Sequence, residues 1–134
     1  MADAVSSQTI VDTDKRTVVK FTNLSDGSGE AAVKKVDVSA LNSNASGVAC
    51  TSVAIAKVWW ATTGMGVKID FDASTNVLAV TLPADSTGDE YYDDFSGIPN
   101  NAGSGVTGDL DFTTVGHSNG DTYVIILELI KNYG

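Results

Sequence analysis

The sequence predicts an all-β protein: one antiparallel β-sandwich domain, jelly-roll-like, of about eight strands. Three observations carry this. Short runs rich in β-branched and aromatic residues recur at fairly regular spacing, separated by clusters of Gly, Ser, Asn and Asp, as expected for strands and their turns. Several runs alternate apolar and polar residues with period two. The 134 residues are 43% hydrophobic and 19% charged, enough for one real core without disulfides.

The first sixteen residues are short of core positions and read as an N-terminal arm, with the sandwich occupying 17–134. TVVKFTNL (17–24) and AAVKKVDV (31–38) flank SDGSGE (25–30), a Gly-rich hairpin connection. After the polar stretch NSNASG (42–47), CTSVAIAKVWWAT (50–62) favours a strand by its β-branched and aromatic content. Val67, Ile69 and Phe71 point one way, and Lys68 and Asp70 the other. DASTN (72–76) turns the chain into 77–82, where Leu78, Val80 and Leu82 share a face, and Pro83 stops that strand. Residues 84–108 form a long irregular loop, which is either a functional arm or conceals a short edge strand near 90–95. Leu110 and Phe112 then point inward in 109–115, GHSNGD (116–121) turns, and TYVIILELIK (122–131) closes the sheet.

Two of these strands have apolar residues on both faces. In the last, Tyr123, Ile125, Leu127 and Leu129 oppose Val124, Ile126 and Ile130, which surround Glu128. In 51–60, strict alternation sets Val53, Ile55 and Trp59 against Ala54, Ala56, Val58 and Trp60. A strand in a two-layer sandwich needs only one apolar face. The surplus face is covered by a loop or helix of the same chain, or it is a contact surface. Trp60, Val124, Ile126 and Ile130 are the candidate interface residues.

Charge is lopsided. Residues 1–68 hold six acids and seven bases, whereas 69–134 hold eleven acids and one base, Lys131, giving −9 overall. Nucleic-acid binding depends on Lys and Arg releasing counterions, so no nucleic-acid partner is expected. Lys34 and Lys35 are candidates for docking on an acidic protein surface. No apolar run reaches the roughly 20 residues of a membrane span, so no membrane partner is expected either. The first residues lack a basic and apolar leader, and Cys50 is the one cysteine, which fits folding in a reducing cytoplasm.

No catalytic constellation is present, and the reading is non-enzymatic. His117 is the one histidine and lies in a turn, while Cys50 heads an apolar strand and reads as a small buried hydrophobe. Asp89, Glu90, Asp93 and Asp94 form an acidic cluster. Its mutual repulsion a Ca²⁺ ion would relieve, although the spacing matches no EF-hand. No cofactor is otherwise expected. Trp59–Trp60 and Tyr91–Tyr92 could supply a sugar-stacking platform, but adjacent strand residues face opposite ways.

Taken together, MADAVSSQTIVDTDKRTVVKFTNLSDGSGE, CTSVAIAKVWWATTGMGVKIDFDA and FSGIPNNAGSGVTGDLDFTTVGHSNGDTYVIILELIKNYG resemble small virion structural proteins of tailed bacteriophages, especially marine phages. The resemblance lies in overall pattern across nearly the whole chain. It implies a β-rich subunit present in many copies on the particle, made in the bacterial host cytoplasm and located in the virion. The leading expectation is a capsid decoration (cement) protein that binds the major capsid protein and stabilises the head, with homo-oligomers or many copies. A neck- or tail-associated subunit (adaptor, tube or fibre-associated) is the alternative within the virion. A carbohydrate-binding module is the alternative from another class.

Overall fold

A computed structural model describes residues 3–133. It contains nine strands: β1 (Ala4–Asp12), β2 (Arg16–Leu24), β3 (Val33–Val36), β4 (Ser52–Thr63), β5 (Gly66–Phe71), β6 (Val77–Leu82), β7 (Thr87–Tyr91), β8 (Leu110–Val115) and β9 (Thr122–Asn132). Two single 3-10 turns, Val38–Ala40 and Asp93–Phe95, complete the described elements. The strands form a five-stranded sheet, ordered β1-β2-β9-β4-β7, and a four-stranded sheet, ordered β3-β8-β5-β6, with every pairing antiparallel. The expected β-sandwich is the architecture found.

Period-two patterning explains how the sheets pack. In β9, Tyr123, Ile125, Leu127 and Leu129 are fully buried; in β2, Val19 and Phe21 join them from the same face. The four-stranded sheet contributes Val67, Ile69, Phe71, Leu110 and Phe112. Phe112 sits between Phe21, ring centroids 5.1 Å apart, and Tyr123, 6.0 Å apart, both edge to face. Such aromatic contacts bridge the two layers and contribute about 0.5–1.5 kcal/mol each beyond their buried area.

Two expectations are corrected here. The segment assigned to an arm is the edge strand β1, in register with β2 from Ala4↔Leu24 to Asp12↔Thr17. Its side chains are exposed except Asp12, so it joins the sheet through main-chain hydrogen bonds, which a search for core residues does not detect. The long 84–108 loop conceals an edge strand, but at Thr87–Tyr91, where it pairs with β4; of the expected 90–95 segment, Glu90 and Tyr91 end that strand and Asp93–Phe95 form the following 3-10 turn.

Candidate functional site

The outer face of the five-stranded sheet is the surface left over when the core is complete. Its phase along β4 is set by a β-bulge. Ile55 pairs with Leu129 and Lys57 with Glu128, so Ala56 is the extra residue and alternation inverts beyond it. Val53, Ile55 and Val58 therefore all face the core. The same inversion corrects the tryptophans. Trp60 pairs with the fully buried Ile125, packs against the core, and donates its indole N–H to Ser86 Oγ at 2.9 Å. It is no outward interface residue. Trp59, opposite Ile126, is the one that faces out.

Around Trp59 the outer face holds Val18, Ala61, Val124 and Ile126 across β2, β9 and β4, with Lys20 directly opposite Ile126 and with Glu128 between Ile126 and Ile130. Val124 is 40% exposed, and Val18, Trp59, Ile126 and Ile130 are half-buried. A shallow hollow of about 300 Å³ lies between Trp59, Ala61, Thr87, Val124 and Ile126, floored by the Trp60–Gly88 pair. A Cβ on Gly88 would come within 2.9 Å of the Trp60 ring, so Gly at this position lets the indole lie close to β7. The expected residues Val124, Ile126 and Ile130 thus share one face.

Charge interrupts this face between Ile126 and Ile130. Arg16 Nη1 donates to Glu128 Oε2 at 2.6 Å, and Nη2 donates to both carboxylate oxygens of Asp93 at 3.0 Å. The Tyr91 hydroxyl donates to Asp93 Oδ2 at 3.0 Å. The guanidinium first, and the Tyr91 hydroxyl second, hold the Asp93 carboxyl below the usual range. Lys57 Nζ lies 4.4 Å from the Trp59 ring centroid, 5.5 Å from that of Tyr91, and 3.6 Å from Asp89 Oδ2.

These pairs change how the acidic cluster reads. Asp93 is engaged by Arg16 and Asp89 by Lys57, while Glu90 and Asp94 are exposed. The repulsion that would favour Ca²⁺ is answered by basic residues distant in sequence. Among the described residues, no three His, Cys, Asp or Glu side chains are grouped to hold a metal. Tyr91 is exposed while Tyr92 packs against the core, so the two rings form no shared platform.

The two lysines expected at an acidic partner are both engaged within the chain. Lys34 reaches Asp109 Oδ2 at 3.0 Å with its side chain half exposed. Lys35 is buried against Glu30, Nζ to Oε2 at 2.5 Å, which corrects its assignment as a docking residue. Glu30 Oε1 also accepts from the Tyr123 hydroxyl at 2.6 Å and from Asn23 Nδ2 at 2.9 Å. Burial first, and Glu30 second, push the Tyr123 phenol far up, so it stays a neutral donor. Sequence spacing gave no signal for this buried network, because Glu30 enters it from the end of a turn.

The thiol of Cys50 is buried and donates to the Ser52 carbonyl at 3.2 Å; burial pushes its pKa up, opposite to what a thiolate nucleophile needs. His117 Nδ1 lies 3.1 Å from Thr114 Oγ1, and its ring packs on Gly29, where a Cβ would come within 2.3 Å. It is a turn residue held in place by packing.

No protein-family model matches this sequence, and no curated protein does. Among solved structures, Peruvianin-I, a cysteine peptidase from Thevetia peruviana latex, is similar to 97% of this chain at 14% identity and a TM-score of 0.41. The chain spans 64% of that protein's length. A likeness this distant carries no argument about activity.

Proposed function

We propose that this protein is a non-enzymatic structural subunit of a tailed-bacteriophage particle, a capsid decoration protein that lays the outer face of its five-stranded sheet on the major capsid protein. The observation that carries the reading is the apolar cluster of Val18, Trp59, Val124 and Ile126, the first, second and last half-buried and Val124 exposed, on a sheet whose other face already supplies the core. Apolar side chains gathered on the solvent face of a sheet, rimmed by polar residues, favour a contact surface. The sequence pattern shared with small virion proteins supplies the setting, and the engaged carboxylates and buried thiol support a binding role over catalysis. Trp59, with its ring backed by Lys57, is the anchor in this reading, since buried aromatic residues dominate interface energetics.

The test is co-sedimentation of the protein with emptied phage heads, followed by cryo-imaging of decorated particles at side-chain resolution. Ile126→Lys is expected to lower head occupancy roughly tenfold or more, because it places a charge at the centre of the contact. Full occupancy by that variant would refute the docking face. Copy number decides the location: hundreds of copies belong to the head, whereas about six or twelve would move the protein to the neck or tail axis.

A further inference from the structure

We infer that β1 is a docking edge for a second copy of this chain, the two β1 strands pairing antiparallel through Ala4–Thr9 to join two five-stranded sheets into one of ten.

The four sheet edges, β1, β7, β3 and β6, differ in how they are protected. Soluble proteins blunt edges with charge, proline, bulges or brevity, because an open ladder of N–H and C=O groups recruits other strands. β7 carries Asp89 and Glu90. β3 has four residues, two of them lysine, and a register shift. β6 has an extra residue opposite the Ile69–Asp70 step and ends before Pro83. β1 has nine residues with no proline and no charge from Ala4 to Val11. Its one irregularity, the extra residue Ile10 between Thr9 and Val11, lies beyond an unbroken six-residue register with β2.

This edge is also held ready. At its start, Asp3 Oδ1 accepts hydrogen bonds from the backbone N–H groups of Asp26 at 3.1 Å and Gly29 at 3.2 Å, and Oδ2 accepts from Asn23 Nδ2 at 3.1 Å. At its end, Asp12 Oδ1 receives Lys131 Nζ at 2.6 Å. A strand fixed at both ends loses little further freedom on pairing, and such pre-organisation lowers the entropic cost of association.

Self-association rather than a foreign strand follows from charge and symmetry. A chain of net charge −9 meets another copy most easily where carboxylates are few, and β1 belongs to the half that is near neutral. A two-fold axis perpendicular to the sheet keeps the outer faces on one side, so residues of equal parity oppose each other. With the axis at Ser6 or Ser7, no like charges face each other within Ala4–Thr9. Val5 then meets Gln8-flanking Ser7 or Thr9, both compatible with a strand pair. The dimer stands independently of what the apolar face binds.

Sedimentation equilibrium of the full chain is expected to show a mass twice that of the chain. Ser7→Lys and Ser7→Glu are each expected to give monomers with unchanged circular dichroism, and their equimolar mixture to restore the dimer. Single cysteines at positions 5 to 8 give a second reading that needs no added charge: a covalent dimer should form fastest at 6 or 7, with Cys50 buried and silent. A wild-type chain that is monomeric at all concentrations overturns the proposal. So does a dimer that survives Ser7→Lys but is lost in Ile126→Lys, which would place the contact on the sheet face.

Discussion

Lys131 is the clearest case of a single residue holding separate parts of the chain together. Its ammonium is fully buried and donates to Asp12 Oδ1 at 2.6 Å, the Thr13 carbonyl at 2.8 Å and the Asn42 carbonyl at 2.7 Å. All three protons are used, and the end of β1, its turn and the 42–47 connection are fastened to β9. Removing one partner of a buried pair leaves an uncompensated charge, at a cost of about 3–5 kcal/mol. Lys131→Met should destabilise the fold by that order in urea unfolding, while Lys15→Met, at an exposed position, should leave it near wild type.

Asp111 and Asp3 are carboxylates shifted in opposite senses. Asp111 is buried on β8; desolvation first, then the neighbouring Asp72 carboxylate, raises its pKa to about 6, although Asn76 Nδ2 donates to it at 3.0 Å. Its folded form binds a proton more tightly than the unfolded chain, so the fold gains stability as pH falls from above 6 toward 4. Asp3 behaves the other way. Desolvation raises its pKa, but hydrogen bonds from Asn23, Asp26 and Gly29 outweigh it and bring the value to about 2. The stability it contributes is complete above about 4 and is lost as pH falls through 2. Unfolding free energy should therefore rise between pH 7 and about 4.5 and decline below about 3.5. Asp111→Asn should reduce the rise, leaving the part owed to Asp70, whose carboxyl burial also raises, and should stabilise the protein at pH 7 by up to about 3 kcal/mol. A flat wild-type profile from pH 7 to 4.5 would contradict the raised Asp111 carboxyl.

At the level of elements, the strands with strict alternation were legible in the sequence. β6 runs over the expected residues, and β2, β4, β5, β8 and β9 differ from expectation only at their ends. The misses share one physical cause: backbone pairing that leaves no side-chain pattern. β1 and β7 are edge strands with mostly exposed side chains, so hydrophobic periodicity cannot mark them. The Ala56 bulge is likewise invisible, because a run apolar on both faces reads equally well in either phase. That is why Val124, Ile126 and Ile130 were legible as an outward face while Trp59 and Trp60 exchanged places. Deleting Ala56 tests the account. With the extra residue gone, strict alternation from Ile55 leaves Lys57 outward and Val58 inward as they are now, so the variant should fold with its tryptophan emission unchanged. A red-shifted spectrum with a lost unfolding transition would mean that Ala56 is not the residue the ladder skips.

Across the whole molecule, charge and apolar surface are segregated, and this predicts how association responds to salt. Residues 69–134 carry −10 against +1 for residues 1–68, and β2 presents Arg16 and Lys20 near the uncharged edge. Two copies meeting at β1 make no ion pair across the edge, yet each brings the long-range field of an acidic body. At a Debye length of about 30 Å that field still acts between subunits; at about 8 Å, near physiological ionic strength, it is largely screened. Edge pairing by main-chain hydrogen bonds is itself insensitive to salt. Dimerisation should therefore tighten as salt rises from about 0.01 M to about 0.15 M and change little beyond that. A contact built on Lys34 and an acidic surface would weaken over the same range. Sedimentation equilibrium at the two ionic strengths separates them by the sign of the change alone.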